Sequence, residues 1–296
     1  MDWEHHFNDV LWVMPRGIKR GGRAGANSAS WTSKYGSVVV VSANGTSEGL
    51  NEAGLAAHLL YLDTGVYEPR DSRPGVGTTT WVQYLLDNSK SVGEALEHLK
   101  NIQIVSVPVP GYEKGLPLHV AMEDVSGHSA VVEFVKGRMV VHAGRQYRVM
   151  TNEPTYDEQL ANLRRYLPFR PDTKLPGNTS PSDRFVRAAY FLHYLPKPKD
   201  AQEAAAYLMS LVYNVSVPFG APYTGLSATY PTWWRDIVDL DNRRIYFNYA
   251  LSPNVIWVSF DSLSFKQGQP SKRLNALDAT LVGNVSKRFT PAPAPF

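Results

Sequence analysis

The stretch YGSVVVVSANG, residues 35–45, decides how this chain folds. Every position from Val38 to Val41 is apolar and β-branched, which favours a strand. Successive side chains of a strand point to opposite faces, so a run that is apolar at both parities predicts a strand covered on both sides. Asn44-Gly45 then predicts a tight turn into the next strand.

Strands and helices are grouped in blocks outward from this segment. Strands are predicted at Val10–Met14, Tyr35–Ala43, Leu118–Met122, Ala130–Val135, Met139–His142, Tyr147–Thr151, Trp234–Leu240, Arg244–Ala250 and Val255–Phe260. Leu50–Leu62 is predicted to form a tight turn at Asn51–Gly54 followed by a strand. Helices are predicted at Thr78–Asp87, from Ser91, at Tyr156–Tyr166, from Ser180 and at Asp200–Tyr213. Helix is the alternative for Leu50–Leu62, whose leucines and alanines also fit a helical stripe. Segregated blocks predict an α+β fold with mainly antiparallel sheets, and no linker divides residues 1–296, which predicts a single domain.

Local signals refine these boundaries. Ser91 precedes Glu94 at capping-box spacing, and Ser180 precedes a proline at the first helical position. Arg16–Ala26 is polar and glycine-rich and is predicted to be a loop, and the proline-rich tail Thr290–Phe296 is predicted to be an irregular arm.

Composition excludes several classes of protein. Hydrophobic residues make up 43% and charged residues 19% of the 296, which excludes intrinsic disorder. The net charge of +3 comes without a run of Lys or Arg, so no nucleic-acid partner is expected. There is no cysteine, which excludes disulfides and thiolate metal sites within these residues. The apolar runs are too short for a membrane span, and the polar start, taken literally, predicts a cytoplasmic protein.

Three familiar motifs are absent or incomplete. Gly21–Gly25 lacks the Gly-Lys-Ser/Thr of a phosphate loop, and no Gly-x-Ser-x-Gly elbow is present. His5 and His6 are adjacent, and adjacent side chains on a strand point to opposite faces. Neither a metal nor a cofactor is therefore predicted.

Seven segments together carry a more specific signal. They are Met1–Trp3, Trp31–Gly36, Gly49–Leu55, Met150–Tyr156, Asp183–Ala188, Ser216–Gly220 and Ser252–Val258. In this order and spacing the chain resembles the choloylglycine hydrolase family, which includes penicillin V acylases and conjugated bile salt hydrolases. The resemblance runs from Met1 nearly to the C-terminus.

The resemblance implies an N-terminal-nucleophile hydrolase with a four-layer αββα sandwich, in which two mainly antiparallel sheets lie between helical layers. Members cleave an amide to release an acyl or steroid acid. Their substrates include penicillin V, conjugated bile acids and, in some Gram-negative relatives, N-acyl homoserine lactones. The implied partner is thus a small acyl amide. The family's tetramer implies a homo-oligomer, but the short spacing between Asn152 and Arg184 resembles the Gram-negative branch and leaves the oligomeric state open.

The family's mechanism assigns roles to matching residues. An N-terminal Cys thiol attacks the amide carbon, and its own α-amine, with a pKa near ~8, serves as the base. Asp2 resembles the aspartate that hydrogen-bonds the nucleophile, Asn152 the side-chain oxyanion donor, and Arg184 the arginine that steadies charge. The alternatives are an exposed acid at Asp2, a turn-forming Asn152, and a surface salt bridge from Arg184 to Asp183 or Asp172.

Two aromatic residues bear on the substrate. Tyr61 falls where bile salt hydrolases tend to have Asn and penicillin acylases an aromatic residue, and its backbone N–H would be the second oxyanion donor. The ring favours an aromatic or acyl substrate over a conjugated steroid, and the alternative is an ordinary half-buried strand tyrosine. Trp3 is assigned to the same pocket, with a core tryptophan as the alternative.

The nucleophile itself is missing from these residues. In the family the Cys, and an Arg shortly before Met-Asp, lie upstream of the position that is Met1 here. We therefore expect Met1 to be an internal methionine, with a first strand beginning with Cys encoded upstream; a signal peptide before it would make the protein periplasmic or secreted. Loss of that strand should bare a sheet edge. The competing hypothesis is a non-catalytic binding protein that kept the pocket and lost the nucleophile.

Overall fold

The computed structural model describes Phe7 and residues 9–222 and 230–296. The strands are β1 (Val10–Met14), β2 (Lys19–Gly21), β3 (Ser30–Thr32), β4 (Ser37–Ser42), β5 (Gly45–Asn51), β6 (Leu55–Tyr61), β7 (Gly75–Gly77), β8 (Gln103–Val105), β9 (Leu118–Asp124), β10 (Ser129–Val135), β11 (Arg138–Ala143), β12 (Trp234–Asp239), β13 (Arg244–Tyr249), β14 (Ile256–Ser259), β15 (Lys272–Leu274), β16 (Gly283–Asn284) and β17 (Thr290–Pro291). The helices are α1 (Trp81–Asn88), α2 (Val92–Lys100), α3 (Tyr156–Arg164), α4 (Pro181–Tyr194) and α5 (Ala201–Val215). In the described part of the chain, no helix is long and apolar enough to cross a bilayer.

Nine strands form one large sheet. Their order is β11-β10-β9-β6-β5-β4-β1-β15-β17, and every neighbouring pair is antiparallel. β4 is the strand predicted to lie in the interior, and all six of its residues are buried. β1 pairs on its other side with β15, so that Leu11 lies opposite Leu274. An early and a late segment of the sequence thus meet within the sheet.

The large sheet is covered on both faces, as the four valines of β4 predict. Val39 belongs to the core that the sheet shares with α1 and α2. Val40, whose side chain points the other way, belongs to the core shared with a second sheet. That sheet has the order β12-β13-β14-β16, with β14 and β16 parallel and the other pairs antiparallel. The predicted α+β class with mainly antiparallel sheets is confirmed.

The remaining helices lie beside the second sheet. Tyr156 of α3 and Phe185 of α4 pack on Val131 of β10. The neighbours of Val131 in β10, Ala130 and Val132, belong to the core under α1 and α2. Side chains alternate between faces, so α3 and α4 cover the same face of the large sheet as the second sheet does. α5 packs on α4 and on β12, the first strand of the second sheet.

Both helix caps are found where the sequence predicts them. Ser91 Oγ accepts a hydrogen bond from the N–H of Glu94 at 3.3 Å. The Glu94 carboxylate, however, accepts from the N–H of Lys90 instead of completing a capping box with Ser91. Ser180 Oγ accepts from the N–H of Asp183 at 3.3 Å, with Pro181 in the first turn.

The strand predicted after the Asn51–Gly54 turn is confirmed at Leu55–Tyr61, where pairing with β5 and β9 outweighs the helical stripe of the alternative. Two other local predictions need correction. Arg16–Ala26 is not wholly a loop, since β2 lies within it and pairs with β3. Tyr147–Thr151 is not a strand. Tyr147 and Val149 pack onto the cluster around Phe185. The alternation of apolar residues in this segment therefore reflects which side chains are buried, and does not require that the backbone pair with a neighbouring strand.

Candidate active site

Asn152, Tyr61 and Arg184 lie together, although they come from three separate parts of the sequence. Asn152 Nδ2 donates to the carbonyl oxygen of Tyr61 at 2.9 Å. Arg184 Nη2 donates to Asn152 Oδ1 at 2.9 Å, and Arg184 Nε donates to the carbonyl of Thr179 at 3.0 Å. Three of the five residues singled out by the resemblance therefore form one hydrogen-bonded chain. The other two, Asp2 and Trp3, lie outside the described residues.

The end of β6 presents the Tyr61 backbone to this site. The N–H of Leu62 donates to the carbonyl of Pro117 at 3.0 Å, and Tyr61 lies opposite Leu118. Hydrogen-bonded pairs alternate along an antiparallel ladder, so Tyr61 occupies a non-hydrogen-bonded position against β9. Its N–H and C=O both point away from β9, and the C=O meets Asn152. The N–H is therefore directed to the same side as the Asn152 amide.

The Tyr61 side chain is half-buried at the rim of the site. Its hydroxyl donates to Asp63 Oδ1 at 3.3 Å. A tyrosine hydroxyl is neutral at physiological pH, and partial burial, reinforced by the Asp63 carboxylate, raises the pKa of Tyr61 further. The ring can therefore offer an apolar, uncharged wall to a substrate.

Arg184 lies in the first turn of α4, where a cation opposes the helix dipole. Its guanidinium folds back to the carbonyl of Thr179 and the amide of Asn152. A guanidinium only donates hydrogen bonds, so the Asn152 atom that faces it is the oxygen. This contact fixes which way the Asn152 amide points and directs its NH₂ group towards Tyr61.

Gln159 is a site residue that sequence reasoning missed. Gln159 belongs to α3, and its side chain is buried. Its Nε2 lies 3.1 Å from Thr151 Oγ1, 3.4 Å from the Asn152 carbonyl and 3.1 Å from the Glu153 carbonyl. Thr151 Oγ1 in turn donates to the carbonyl of Pro181 at 3.0 Å. One amide therefore ties the backbone on both sides of Asn152 to α3. A glutamine in a helix carries no signal in sequence that would reveal this.

The first turn of α3 is itself anchored to the large sheet. Glu133 Oε2 accepts from the N–H of Tyr156 at 2.9 Å, and Glu133 Oε1 lies 2.9 Å from His119 Nδ1. Both side chains are almost completely buried. The segment that carries Asn152 is thus held between a buried pair on β9 and β10 and the start of α4.

A cavity of about 460 Å³ opens next to Arg184 and Thr151. Seven ionisable side chains line it: the arginines Arg148, Arg184 and Arg235, and a group of four, Glu48, His58, Glu123 and Asp236. His58 Nε2 lies 2.6 Å from Glu123 Oε1, and His58 Nδ1 lies 3.4 Å from Glu48 Oε2. We call these four residues the carboxylate floor.

Burial and mutual contact shift the pKa values of the carboxylate floor in opposite directions. Burial alone would lower the pKa of His58, but the Glu123 and Glu48 carboxylates raise it well above its usual value. Burial and the neighbouring Glu48 raise the pKa of Asp236 well above the usual range. Burial would also raise the pKa of Glu48, but its hydrogen bonds with His58 and Asp236 and the neighbouring positive charges together outweigh burial and lower the pKa. Burial and contact thus favour a protonated His58 and disfavour an ionised Asp236.

Among the described residues, Glu48, His58 and Asp236 have ligand atoms within 4.8 Å of one another, close enough to share a metal ion. Both nitrogens of His58 already face carboxylates. The arrangement is that of a protonated imidazole between two acids. A metal would require a neutral imidazole and the loss of those contacts.

Comparison with known proteins places the chain in a family. The sequence profile of the linear amide C–N hydrolases, choloylglycine hydrolase family, matches residues 1–272. A penicillin V acylase of Pectobacterium atrosepticum is 34% identical, with 99% of this chain and 85% of that protein aligned. A bile salt hydrolase/transferase of Clostridium perfringens is 28% identical, with 84% of this chain and 83% of that protein aligned.

Solved structures show the same relationship. The structure of penicillin V acylase from Agrobacterium tumefaciens superposes with a TM-score of 0.90 at 38% identity, covering 100% of this chain and 93% of that one. A single-residue variant of the conjugated bile acid hydrolase from Clostridium perfringens superposes with a TM-score of 0.78 at 25% identity, covering 93% and 91%. The fold and the family are those of enzymes that hydrolyse linear amide C–N bonds. The chain belongs to the choloylglycine hydrolase family, which confirms the resemblance found in the sequence.

Proposed function

We propose that this chain forms the body of an acylase of the penicillin V type, with Asn152 and Tyr61 as its oxyanion donors. The observation that carries the proposal is the chain of contacts from Arg184 through Asn152 to Tyr61. The Asn152 NH₂ group has two hydrogens, of which one is given to the Tyr61 carbonyl. The second hydrogen and the N–H of Tyr61 are the two donors that a tetrahedral oxyanion needs.

The reaction proposed for this site is acyl transfer to a thiol. The α-amine of an N-terminal Cys takes the thiol proton, and the sulfur attacks the amide carbon. The C–O π electrons move to oxygen, where Asn152 and Tyr61 stabilise the negative charge. As that charge returns, the C–N bond breaks, the protonated α-amine gives its proton to the leaving nitrogen, and a thioester remains. Water then releases the acid and restores the thiol.

Asp2 and Trp3 keep the roles that the resemblance gives them. Asp2 hydrogen-bonds the nucleophile and Trp3 lines the acyl pocket. Arg184 acts as a positioning residue, because its contact is with the Asn152 amide. The mechanism needs no cofactor.

The substrate we propose is an aryloxyacyl amide such as penicillin V, ahead of a conjugated bile acid. The half-buried, uncharged Tyr61 ring supports this order, since an aromatic or acyl chain packs on an apolar wall. The relatives named penicillin V acylase also share more identity with this chain than the bile salt hydrolase relatives do. An N-acyl homoserine lactone, which carries a flexible acyl chain, is the next candidate.

The compartment and assembly follow from the same proposal. The 296 residues predict a cytoplasmic protein, and a signal peptide upstream of Met1 would place the enzyme in the periplasm or outside the cell. We propose one domain over residues 1–296 and a homo-oligomeric assembly.

The decisive experiment begins with the DNA upstream of the Met1 codon. We expect this DNA to encode, in the same reading frame, a β-strand whose first residue is Cys. Protein expressed from that Cys should release the amine of penicillin V faster than it deconjugates glycocholate, and its Asn152→Ala variant should lose about 10²–10³ in kcat. Asn162→Ala, an asparagine in α3, is the matched control and should keep full activity. An in-frame stop with no Cys codon before Met1 would refute the thiol mechanism.

A second candidate is a binding protein without catalysis. The observation that favours it is the absence of cysteine from all 296 residues. This protein should then bind penicillin V or an acyl homoserine lactone in calorimetry and leave the amide intact. Turnover by the 296 residues alone would contradict both candidates, because neither has a nucleophile in this form.

A further inference from the structure

Arg148 is a cation at the wall of the cavity next to Arg184. Its side chain is exposed and makes no hydrogen bond or ion pair with any other residue that the structure describes. Its neighbours Tyr147 and Val149 pack on the hydrophobic cluster around Phe185, whereas Arg148 itself lines the cavity. A charged side chain in such a place is one of the few groups that can orient a ligand in a largely apolar site.

The other two arginines of the cavity already hold parts of the protein. Arg184 donates to Asn152 Oδ1 at 2.9 Å and so fixes the amide of the candidate site. Arg235 donates to Ser216 Oγ at 2.7 Å. Because these two guanidiniums are engaged, Arg148 is the arginine of the three whose donors can turn to a ligand.

The charge of the cavity lining favours an anion. Burial lowers the pKa of His58, but Glu123 and Glu48 raise it well above its usual value, so His58 is protonated at neutral pH. Burial and the neighbouring Glu48 raise the pKa of Asp236. Even with Asp236 ionised, the three arginines and His58 outnumber the three carboxylates that line the cavity. An anion is therefore attracted to this space and a cation is not.

Asn152 lies between the Tyr61 ring and this cavity. Its Nδ2 faces the Tyr61 backbone, and its Oδ1 faces Arg184, which lines the cavity. A linear amide whose oxygen is held at Asn152 has its acyl group on one side of the C–N bond and its amine on the other. When the acyl group packs on the Tyr61 ring, the amine extends past Arg184 into the cavity that Arg148 lines.

The chain places Arg148 close enough to meet that amine. Four residues separate Arg148 from Asn152, so their Cα atoms are at most about 14 Å apart. Thr151, next to Asn152, lines the same cavity. The volume of about 460 Å³ lies within the range of small-molecule sites, and Leu211 and Val212 give it an apolar wall. The cavity thus suits a compact, partly apolar group that carries one negative charge.

We propose that Arg148 determines specificity by binding a carboxylate on the leaving amine, so that the preferred substrates are acyl amides of amino acids. A guanidinium can donate two parallel hydrogen bonds to a carboxylate, which fixes its orientation as well as its position. Penicillin V has such a carboxylate on the amine side of its amide, whereas an N-acyl homoserine lactone has none. This role rests on the proposed function, which sets the direction in which the substrate lies.

A matched pair of ligands tests the recognition of charge. Penicillin V and its methyl ester have the same acyl group and differ by one ionised carboxylate. Titration calorimetry with the 296-residue protein measures their binding and needs no hydrolysis. We expect penicillin V to bind at least about fivefold more tightly than the ester, and this difference to shrink as NaCl rises from about 50 to about 500 mM. Equal affinities, or no saturable binding of penicillin V to the folded protein at millimolar concentration, would overturn the proposal.

A pair of protein variants assigns the effect to Arg148. Arg148→Met keeps most of the aliphatic stem and removes the charge, so it should weaken penicillin V at least about fivefold and leave the ester within about twofold of its parent affinity. Arg138→Met, at an exposed position in β11 outside the cavity lining, should change neither affinity. Binding of the ester and circular dichroism show whether each variant is folded. A folded Arg148→Met that still prefers penicillin V to its ester contradicts the assignment.

Further ligands distinguish the two acids of the reaction. Hydrolysis frees phenoxyacetate on the acyl side, whereas the carboxylate of 6-aminopenicillanate belongs to the leaving amine. Arg148→Met should weaken 6-aminopenicillanate and leave phenoxyacetate and N-phenoxyacetyl homoserine lactone unchanged. A loss confined to phenoxyacetate would place Arg148 on the acyl side and overturn the proposal. All of these measurements report binding alone, so a failure of acid recognition is distinct from a failure of amide hydrolysis in the thiol-bearing form.

Discussion

Arg184 holds the carboxamide of Asn152 in one orientation. Its Nη2 donates to Asn152 Oδ1 at 2.9 Å, which leaves Nδ2 to face the carbonyl of Tyr61. The guanidinium of Arg184 therefore determines whether the Asn152 amide presents its NH₂ group or its oxygen lone pairs to an oxyanion at this site.

Replacing that cation should uncouple the amide from its orientation. In the thiol-bearing form, Arg184→Met should lower kcat by about 10²-fold with a small change in KM, because a misplaced donor acts mainly on the transition state. Steady-state kinetics with penicillin V measures both constants. Arg164→Met, at an exposed position in α3, is the control and should leave both unchanged. An effect confined to KM would mean that Arg184 contacts the substrate directly.

Gln159 should matter for stability as well as for the site. Gln159→Leu keeps the size of the side chain but removes the amide that lies within hydrogen-bond distance of Thr151 Oγ1 and of the Asn152 and Glu153 carbonyls, and each such bond contributes about 0.5–1.5 kcal/mol. Urea unfolding of the 296-residue protein measures this change. Gln269→Leu, at an exposed position, should change stability by less than about 0.5 kcal/mol.

The carboxylate floor should make stability depend on pH. Contacts with Glu123 and Glu48 raise the pKa of His58, so the folded state binds its proton more tightly than the unfolded state does. The stability this provides is fully present below the unfolded pKa of about 6.5 and is lost as pH rises through the raised folded pKa. Asp236, whose pKa is also raised, contributes in the same direction.

Urea unfolding at a series of pH values above about 6.5 checks this sign. The parent protein should lose stability as pH rises, and His58→Gln should flatten that slope. His193→Gln, an exposed histidine at the end of α4, should leave the slope unchanged. A parent protein that becomes more stable with rising pH would contradict the assignment.

A buried ion pair far from the site offers a stability test of another kind. Asp87 accepts hydrogen bonds from Arg20 Nε at 2.8 Å, Trp31 Nε1 at 2.7 Å and Gln83 Nε2 at 2.8 Å. Asp87→Ala would leave the buried Arg20 charge without its ion-pair partner, and breaking such a pair lowers the free energy of unfolding by about 3–5 kcal/mol. Thermal and urea unfolding should both show the loss. Asp241→Ala, on the surface, should stay within about 0.5 kcal/mol of the parent.

Local patterns in the sequence predicted most of the strands and helices. The valines of β4 predicted a strand with two covered faces, and the serine caps of α2 and α4 predicted where those helices begin. The strand predicted at Tyr147–Thr151 was wrong, because the alternation of apolar residues depends on which side chains are buried and not on whether a neighbouring strand is close enough to pair. A resemblance of several segments supplied Tyr61, Asn152 and Arg184, which the structure brings together.

The rest of the site depends on contacts between distant segments. Gln159 reaches the Asn152 backbone only because α3 folds back on the preceding turn. The carboxylate floor gathers residues of β5, β6, β9 and β12, and no spacing in the sequence relates Glu48 to Asp236. The register with β13 leaves the outer side of β12 without a strand partner among the described residues, and no pattern in the sequence predicts which side of this strand is paired.

The pairing of Leu11 with Leu274 has a consequence for how the chain is made. β1 leaves the ribosome early, yet one of its two neighbours in the sheet is among the last segments to be synthesised. Until β15 is made, one side of β1 in the growing polypeptide has no strand to pair with. Because this pairing closes a large loop, the formation of the β1–β15 pair is expected to be slow. Expression should therefore benefit from slower translation or chaperones that shield nascent strands.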